Sequence, residues 1–344
     1  MGLRIVYGRS GSGKTTFCLN ELKSRIEDRN QNKIILLVPE QYSFQAEKDL
    51  ISVLKANGIL ETEVLSFQRM AHRIFNQTGG ITYPHIHPAG KSMLIYRILD
   101  KLSDEFKLFS KSANQEGFVN KINTLITEFK RYNVTPGQLA ESGLKIEDND
   151  LKQKLHELSS IYMEYEELLR QRYRDGDDDL TVAAQKLSEH KLYDGAEIWI
   201  DGFASFTPQQ YMIIGELLKQ AKQVTITLCI DSLDGDQDEK IDVFPESRKA
   251  YKKIIKICKE NNIDLDETIS LNNEPLARFR QSGELSHLEK NYNAFPYRTW
   301  DQKTRDIVLF SSLNLFTEVE ETARDIISLC RDKNLRFRDI AVLT

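Results

Sequence analysis

The stretch "VYGRSGSGKTTF", residues 6–17, carries residue types suited to gripping phosphate. Gly8, Gly13, Lys14 and Thr15 satisfy the pattern G-x-x-x-x-G-K-[ST]; Arg9, Ser10, Gly11 and Ser12 lie between, and Thr16 follows. In a loop of this kind backbone N–H groups wrap the phosphates, and the N-terminus of the following helix adds partial positive charge. Lys14 is expected to reach the β- and γ-phosphate oxygens, and the Thr15 hydroxyl to ligate Mg²⁺. The nucleotide-binding assignment therefore runs over Gly8, Arg9, Ser10, Gly11, Ser12, Gly13, Lys14, Thr15 and Thr16, with ATP and Mg²⁺ as cofactors.

Turnover needs a second acidic site, in which a strand-end Asp holds the metal and the next residue is commonly a Glu that polarises water. "IWIDGF" supplies Asp201 as the second metal residue, but Gly202 follows it. A general base contributes roughly 10²–10⁴-fold, so the pattern predicts nucleotide binding with weak or no hydrolysis and no confident catalytic residue. The Asp-Gly pair also reads as an ordinary strand-end turn.

Strand-length apolar runs at 3–8, 33–39, 62–67, 197–203 and 224–231, separated by helical patterns, predict an α/β fold with a parallel sheet. The first helix follows the glycine loop; the second is expected to stop at Gly58 and the third at Gly79-Gly80. From 86 to 190 long amphipathic patterns replace the strand signal; Leu155, Leu158, Ile161, Tyr162, Tyr165 and Leu168 recur at helical spacing. We read 86–190 as an all-helical insertion between the two parts, 1–85 and 191–285, of a P-loop domain. A new strand at 306–312, a helix and a final strand "DIAVLT" open a further domain over 286–344, and a chain ending on a strand reads as a piece of a longer protein.

A 40% hydrophobic and 29% charged composition is that of a soluble protein, and no apolar run is long enough to span a membrane. The start lacks a charged-then-apolar leader. Cys18, Cys229, Cys258 and Cys330 form no CxxC pair, which suits reduced thiols in a cytoplasm. A net charge of −5 means that any nucleic acid must be met by a local groove.

Several further segments resemble superfamily 1 helicases. "LLVPEQYSFQAE" (36–47) resembles their second-strand motif and "EVLSFQRMAHRIF" (63–75) their T-x-H-S-F segment. "RDGDDDLTVAAQKL" (174–187) is similar to the lead-in to the acidic motif, and "WIDGFASFTPQQYMII" (199–214) to the acidic motif itself without its catalytic carboxylate. "FRDIAVLT" resembles the first strand of their second RecA-like domain. The combination is most similar to the AddB/RexB family of B subunits of bacterial AddAB helicase–nucleases, in order along the whole chain. The resemblance implies a RecA-like P-loop NTPase domain with a helical insertion (1A- and 1B-like) and the start of a second RecA-like domain. It implies a heterodimer with an AddA-type motor subunit, single- and double-stranded DNA as partner, a link to Chi recognition, and a role in double-strand-break repair. It places the nuclease metal and iron–sulfur cluster beyond residue 344. Two departures stand out: only seven residues precede Gly8, too few for an adenine-reading Gln, and "LCIDSLDGDQDE" replaces the G-D-x-x-Q motif.

By position after the second and third strands, Gln41, Tyr42, Ser66, Phe67, Gln68 and Arg69 are the DNA-binding candidates, with Arg73 and Lys91 weaker ones. Core packing is the competing reading for Tyr42 and Phe67. His85 and His87 in "YPHIHP" lack further ligands nearby and read as a loop. Asp234, Asp236 and Asp238 begin like a calcium loop, but Glu239 and Pro245 stand where Gly and Glu are required. "DGDDD" (175–179) reads as a solvated turn and helix cap. The competing functions are an active P-loop motor or a small-substrate kinase; either would also use Lys14 and Thr15.

Overall fold

The computed structural model describes residues 2–28, 32–55, 62–79, 83–113, 115–170, 172–233 and 243–343. The expected helix stop at Gly58, the second glycine of the Gly79-Gly80 pair, most of the acidic 234–245 segment and the terminal Thr344 lie outside these residues. The chain divides into two compact units, Met1–Arg278 and Phe279–Thr344.

The first unit opens with β1 (Gly2–Tyr7), α1 (Lys14–Glu27), β2 (Ile34–Leu37), α2 (Ser43–Leu54), β3 (Thr62–Leu65) and α3 (Phe67–Thr78). Helices α4 (Pro88–Lys101), α5 (Glu116–Arg131), α6 (Pro136–Leu144), α7 (Asn149–Arg170) and α8 (Asp179–Glu189) follow. The α/β pattern then returns with β4 (Glu197–Ile200), α9 (Pro208–Gln220), β5 (Gln223–Leu228), α10 (Pro245–Glu260), β6 (Asp264–Leu265) and β7 (Ile269–Ser270). The strands form one parallel sheet in the order β3-β2-β4-β5-β1-β6, with β7 also on β1. This is the α/β, RecA-like architecture expected from the sequence. The two-residue strands β6 and β7 pair with opposite ends of β1 and act as one interrupted edge strand.

Both faces of the sheet are covered, which is why "IILL" and "EIWI" are apolar almost without alternation. Ile34, Leu36 and Trp199 pack on one face with Cys18, Leu22 and Leu50 from α1 and α2. Ile35, Leu37, Ile198 and Ile200 face the other side, against α3, α8, α9 and α10. A separate helical core is built around Ile95, Ile98, Ile122, Ile161 and Tyr165 and spans residues 86–169. Helix α8 does not belong to it: Ala183, Ala184 and Leu187 pack in the sheet core. Residues 179–189, read from sequence as part of the insertion, thus pack with the α/β portion, because small residues on one face of α8 allow close approach to α3 and α9.

"DGDDD" is not a solvated turn. Asp175 and Asp179 are 2% and 1% exposed. Asp175 caps a 3-10 turn by accepting the Asp177 N–H at 3.1 Å, so the capping half of the reading holds. Its carboxylate also takes the Lys91 ammonium at 2.5 Å, the Lys130 ammonium at 3.5 Å and the Tyr165 hydroxyl at 2.9 Å. Lys130 further meets Asp178 at 2.5 Å and Glu166 at 2.6 Å. The aspartates are charged partners for lysines on α4 and α5, and the network joins the helical core to the start of α8.

In the second unit α11 (Gly283–Asn291) is followed by α12 (Leu315–Asp332). Glu284 accepts the backbone N–H groups of Arg305, Asp306 and Ile307 at 2.8–3.1 Å. Segments 306–312 and 340–343, expected to be strands, have no regular secondary structure and join no ladder. A strand exists only by pairing, and this unit has no sheet among its described residues. Leu309 and Leu313 are each 96% exposed, and α12 buries no residue.

Candidate functional site

In an open parallel sheet the carboxyl ends of strands on either side of a change in strand order form a crevice. Here β1, β4 and β5 are neighbours, and their ends bring together residues distant in sequence. The loop from Gly8 runs from β1 into α1, whose N-cap Gly13 has φ 97°, in the left-handed region that favours glycine. Gly8, Arg9, Ser10, Gly11, Ser12, Gly13, Lys14, Thr15 and Thr16 therefore lie in one strand–loop–helix segment. The Lys14 Nζ donates to the Gly8 and Arg9 carbonyls at 2.6 and 3.0 Å, folded over the loop.

The Thr15 hydroxyl donates to Asp201 Oδ2 at 2.7 Å, and the Thr227 hydroxyl donates to Oδ1 at 2.5 Å. Asp201 is 2% exposed at the end of β4, its N–H bonded to the Leu37 carbonyl. A cleft of about 580 Å³ opens here, lined by Lys14, Thr15, Asp201, Thr227, Cys229 and Arg278 among others. Burial holds the Lys14 ammonium below its ordinary range, opposed by Asp201 and reinforced by Arg278. Ser12 Oγ is buried in the loop without a hydrogen-bond partner. A spare donor, an ammonium and a hydroxyl–carboxylate pair fit an anionic phosphate chain with a hard divalent cation, which binds one or two protein oxygens plus phosphates. Among the described residues no group of three His, Cys, Asp or Glu side chains could hold a metal by itself.

Gly202 is more than an absent carboxylate. Its φ is +83°, and a Cβ there would come 3.3 Å from Pro39 Cδ. Asp201 faces Thr15 while Gly202 makes the turn. Gly202→Ala should destabilise the fold by about 1–2 kcal/mol, the usual cost of a left-handed non-glycine residue; urea unfolding at neutral pH measures it.

The "TPQQ" segment performs local structural work. The Thr207 hydroxyl accepts the Gln210 N–H at 3.3 Å and Gln210 Oε1 accepts the Thr207 N–H at 2.8 Å, a reciprocal cap with Pro208 at the first helical position of α9. Gln209, 2% exposed, donates to the Asp177 carbonyl and the Thr181 hydroxyl, binding α9 to the start of α8.

The DNA candidates separate. Ser66 is buried and caps α3 through the Arg69 N–H at 3.2 Å. Phe67, 4% exposed, packs edge-on against Phe203 and Phe206, so its ring offers no stacking surface. Tyr42 is half-buried and its hydroxyl donates to Asp49 at 2.8 Å. Burial and that carboxylate push its phenol well above the usual range. Gln41 and Arg69 are exposed, Arg69 paired with Glu47 at 2.7 Å. Gln68 lines a second cleft of about 600 Å³ with His72, Lys91, Arg131 and Gln210. Arg73 pairs with Glu63 at 2.6 Å, and Lys91 belongs to the aspartate network rather than the open surface. His85 bonds Asp179 at 3.1 Å and His87 caps α4.

Sequence reasoning missed Thr227, Cys229 and Arg278 as cleft residues. The available signal for Thr227 was its place near the end of a buried strand, since strands of a parallel sheet present their carboxyl ends together.

A family model described as "ADDB, N-terminal" matches residues 5–289. The chain is 58% identical over 345 residues to the B subunit of the ATP-dependent helicase/deoxyribonuclease of Acetivibrio thermocellus, an alignment covering 100% of this chain and 30% of that protein. The proteins of the same name from Ruminiclostridium cellulolyticum and Clostridium botulinum (strain Loch Maree) are 51% and 49% identical, again over 100% of this chain and 30% of theirs. The chain thus spans about a third of the length of these curated relatives. Among the described residues no helix is long and apolar enough to cross a membrane. A family match over most of the chain, joined to near-complete coverage by close relatives, establishes that this chain belongs to the AddB N-terminal family.

Proposed function

We propose that this chain is a nucleotide-holding, DNA-contacting module of the B subunit of a helicase–nuclease that processes DNA double-strand breaks in the cytoplasm. It binds ATP·Mg²⁺ through Gly8–Thr16 and Asp201 with weak or no hydrolysis, and an AddA-type partner supplies the motor. The observation that carries this reading is the Lys14–Thr15–Asp201 cluster followed directly by Gly202. Lys14 would neutralise the β- and γ-phosphates, and Thr15 with Asp201 would hold the cation. When bound, Mg²⁺ supplies charge neutralisation of the phosphates. Thr227 keeps the Asp201 carboxylate oriented toward the loop, and no carboxylate at 202 is available to take a proton from water.

Single-stranded DNA would run past Gln41, Gln68 and Arg69, with Gln68 facing the second cleft. Ser66 and Phe67 would support that surface from beneath. Chi readout, if carried by this chain, would use the same path. The exposed apolar residues of 306–343 support the start of a second RecA-like domain, whose sheet would take these segments as strands. The nuclease metal and iron–sulfur cluster would be held by parts of the longer protein past residue 344.

Titration of a fluorescent ATP analogue with Mg²⁺ tests the reading. Saturable binding is expected, and Lys14→Ala should weaken it by about 100-fold, the size of losing two charge-assisted hydrogen bonds. Equal affinity in the two proteins would overturn it. Vigorous DNA-stimulated turnover at this site in the full complex would favour an active motor instead.

A further inference from the structure

We propose that Arg278 is a phosphate-contacting residue of the P-loop cleft, carried there by a strap, residues 271–278, that lies along the loop. The proposal rests on the nucleotide reading above and adds a residue outside the P-loop and acidic motifs.

The strap is fixed at successive points. Leu271 donates its N–H to the Tyr7 carbonyl at 2.8 Å. The Asn272 side chain accepts the Arg9 N–H at 2.7 Å and donates to the Asp231 carbonyl at 2.7 Å, tying the glycine loop to the segment after β5. Glu274 pairs with the Arg9 guanidinium at 3.1 Å, and Leu276 is 2% exposed. Finally the Arg278 N–H donates to the Gly11 carbonyl at 2.9 Å. The Ala277 side chain lies 3.6 Å from where a Cβ on Gly13 would stand. The backbone at 277–278 is thus in direct contact with the phosphate loop.

The guanidinium at the end of this strap is exposed and lines the cleft with Lys14, Thr15 and Asp201. Arg4, Arg9, Arg69, Arg73, Arg174 and Arg248 each meet a carboxylate. Arg278 meets none among the described residues. Two cations facing one cleft repel each other, and a polyphosphate chain relieves both. A guanidinium presents paired N–H groups that match phosphate oxygens in a fork, whereas Lys14 acts as a point charge. Arg278 is also the last residue of the first unit, so a phosphate held there would fix the chain where it leaves the nucleotide domain.

The test is titration of the chain with a fluorescent ATP analogue and Mg²⁺, with inorganic tripolyphosphate as competitor. Arg278→Ala should weaken both the analogue and tripolyphosphate at least about tenfold, the size of one charge-assisted hydrogen bond. Arg278→Lys should recover part of the loss. Arg280→Ala, which removes the same charge two residues along the chain, should leave both affinities within about twofold of wild type. Thermal unfolding midpoints equal to wild type establish that the exposed substitutions leave the fold intact. Wild-type affinities in Arg278→Ala, with binding lost in Lys14→Ala, would overturn the proposal and leave the nucleotide reading standing. A loss confined to the analogue would move the contact to the nucleoside and overturn the phosphate assignment. Binding unaffected by Lys14→Ala would overturn the nucleotide reading itself.

Discussion

Lys130→Met should lower the free energy of unfolding by about 3–5 kcal/mol, the range found when one partner of a buried ionic group is removed. The Lys130 side chain is 1% exposed and meets Asp178, Glu166 and Asp175. Burial by itself would lower its proton affinity, but Asp178, Asp175 and Glu166 outweigh that and hold it well above its ordinary range. Asp175 shows the same balance with the sign mirrored: burial pushes it up, while Lys130 and Lys91 bring it below the usual carboxylate value. Asp178 is raised to about 6 by burial despite Lys130.

Without the ammonium, the native carboxylates would bind protons more tightly than in the unfolded chain. The native state of the variant then holds more protons, and its stability rises as pH falls. The deficit should accordingly be larger at pH 8 than at pH 5, as urea unfolding at the two values would record. Lys101→Met offers the contrast: its pair with Glu164 is at 2.5 Å, but the lysine is 61% exposed. Such a pair contributes about 0–1 kcal/mol. Equal losses in the two variants would mean that the aspartate network is solvated and does not hold the helical core.

The second large effect is expected at Trp199. Trp199→Ala should cost about 3–5 kcal/mol, the usual penalty for emptying an aromatic site in a core. The residue is 1% exposed on β4, between β2 and β5, and its ring packs with Cys18, Leu22 and Leu50. Its indole N–H donates to Glu21 at 3.0 Å, and the same carboxylate takes the Arg4 guanidinium. Trp199→Phe keeps most of the ring contact and leaves Glu21 with Arg4, so about 1 kcal/mol should be lost. Chemical denaturation of both variants separates packing from hydrogen bonding: similar losses would assign the site's importance to the N–H, not the ring.

What was legible in the sequence follows from how local each feature is. The glycine loop is contiguous, so Gly8 to Thr16 could be read as one unit. Strands β2 and β4 were visible because covered faces demand nearly uninterrupted apolar residues, and β5 through its buried Val224, Ile226 and Leu228. Strands β6 and β7 were not, since two residues carry no pattern. Asp201 could be found as a strand end, but Thr227 and Arg278 reach the cleft through strand order and through the strap after β7, neither of which is written in local spacing. The "DGDDD" segment was misread because the cations that neutralise it, Lys91 and Lys130, sit on helices far away in the chain. Phe67 followed a motif position, while its burial depends on Phe203 and Phe206, more than a hundred residues later. The unpaired segments around α12 have strand-like composition, and composition alone cannot supply a neighbouring strand.

The turn at Gly202 has an evolutionary corollary. A chain of this family acquiring an Asp-Glu pair by one replacement at 202 would put a side chain on a backbone at φ +83°, pressed toward Pro39. The new side chain would carry the left-handed strain of about 1–2 kcal/mol from the outset, so the replacement has no smooth first step. A second change that relaxes the turn or the "VPEQ" segment would ease it. The geometry beside Asp201 works as a ratchet that favours keeping glycine at 202.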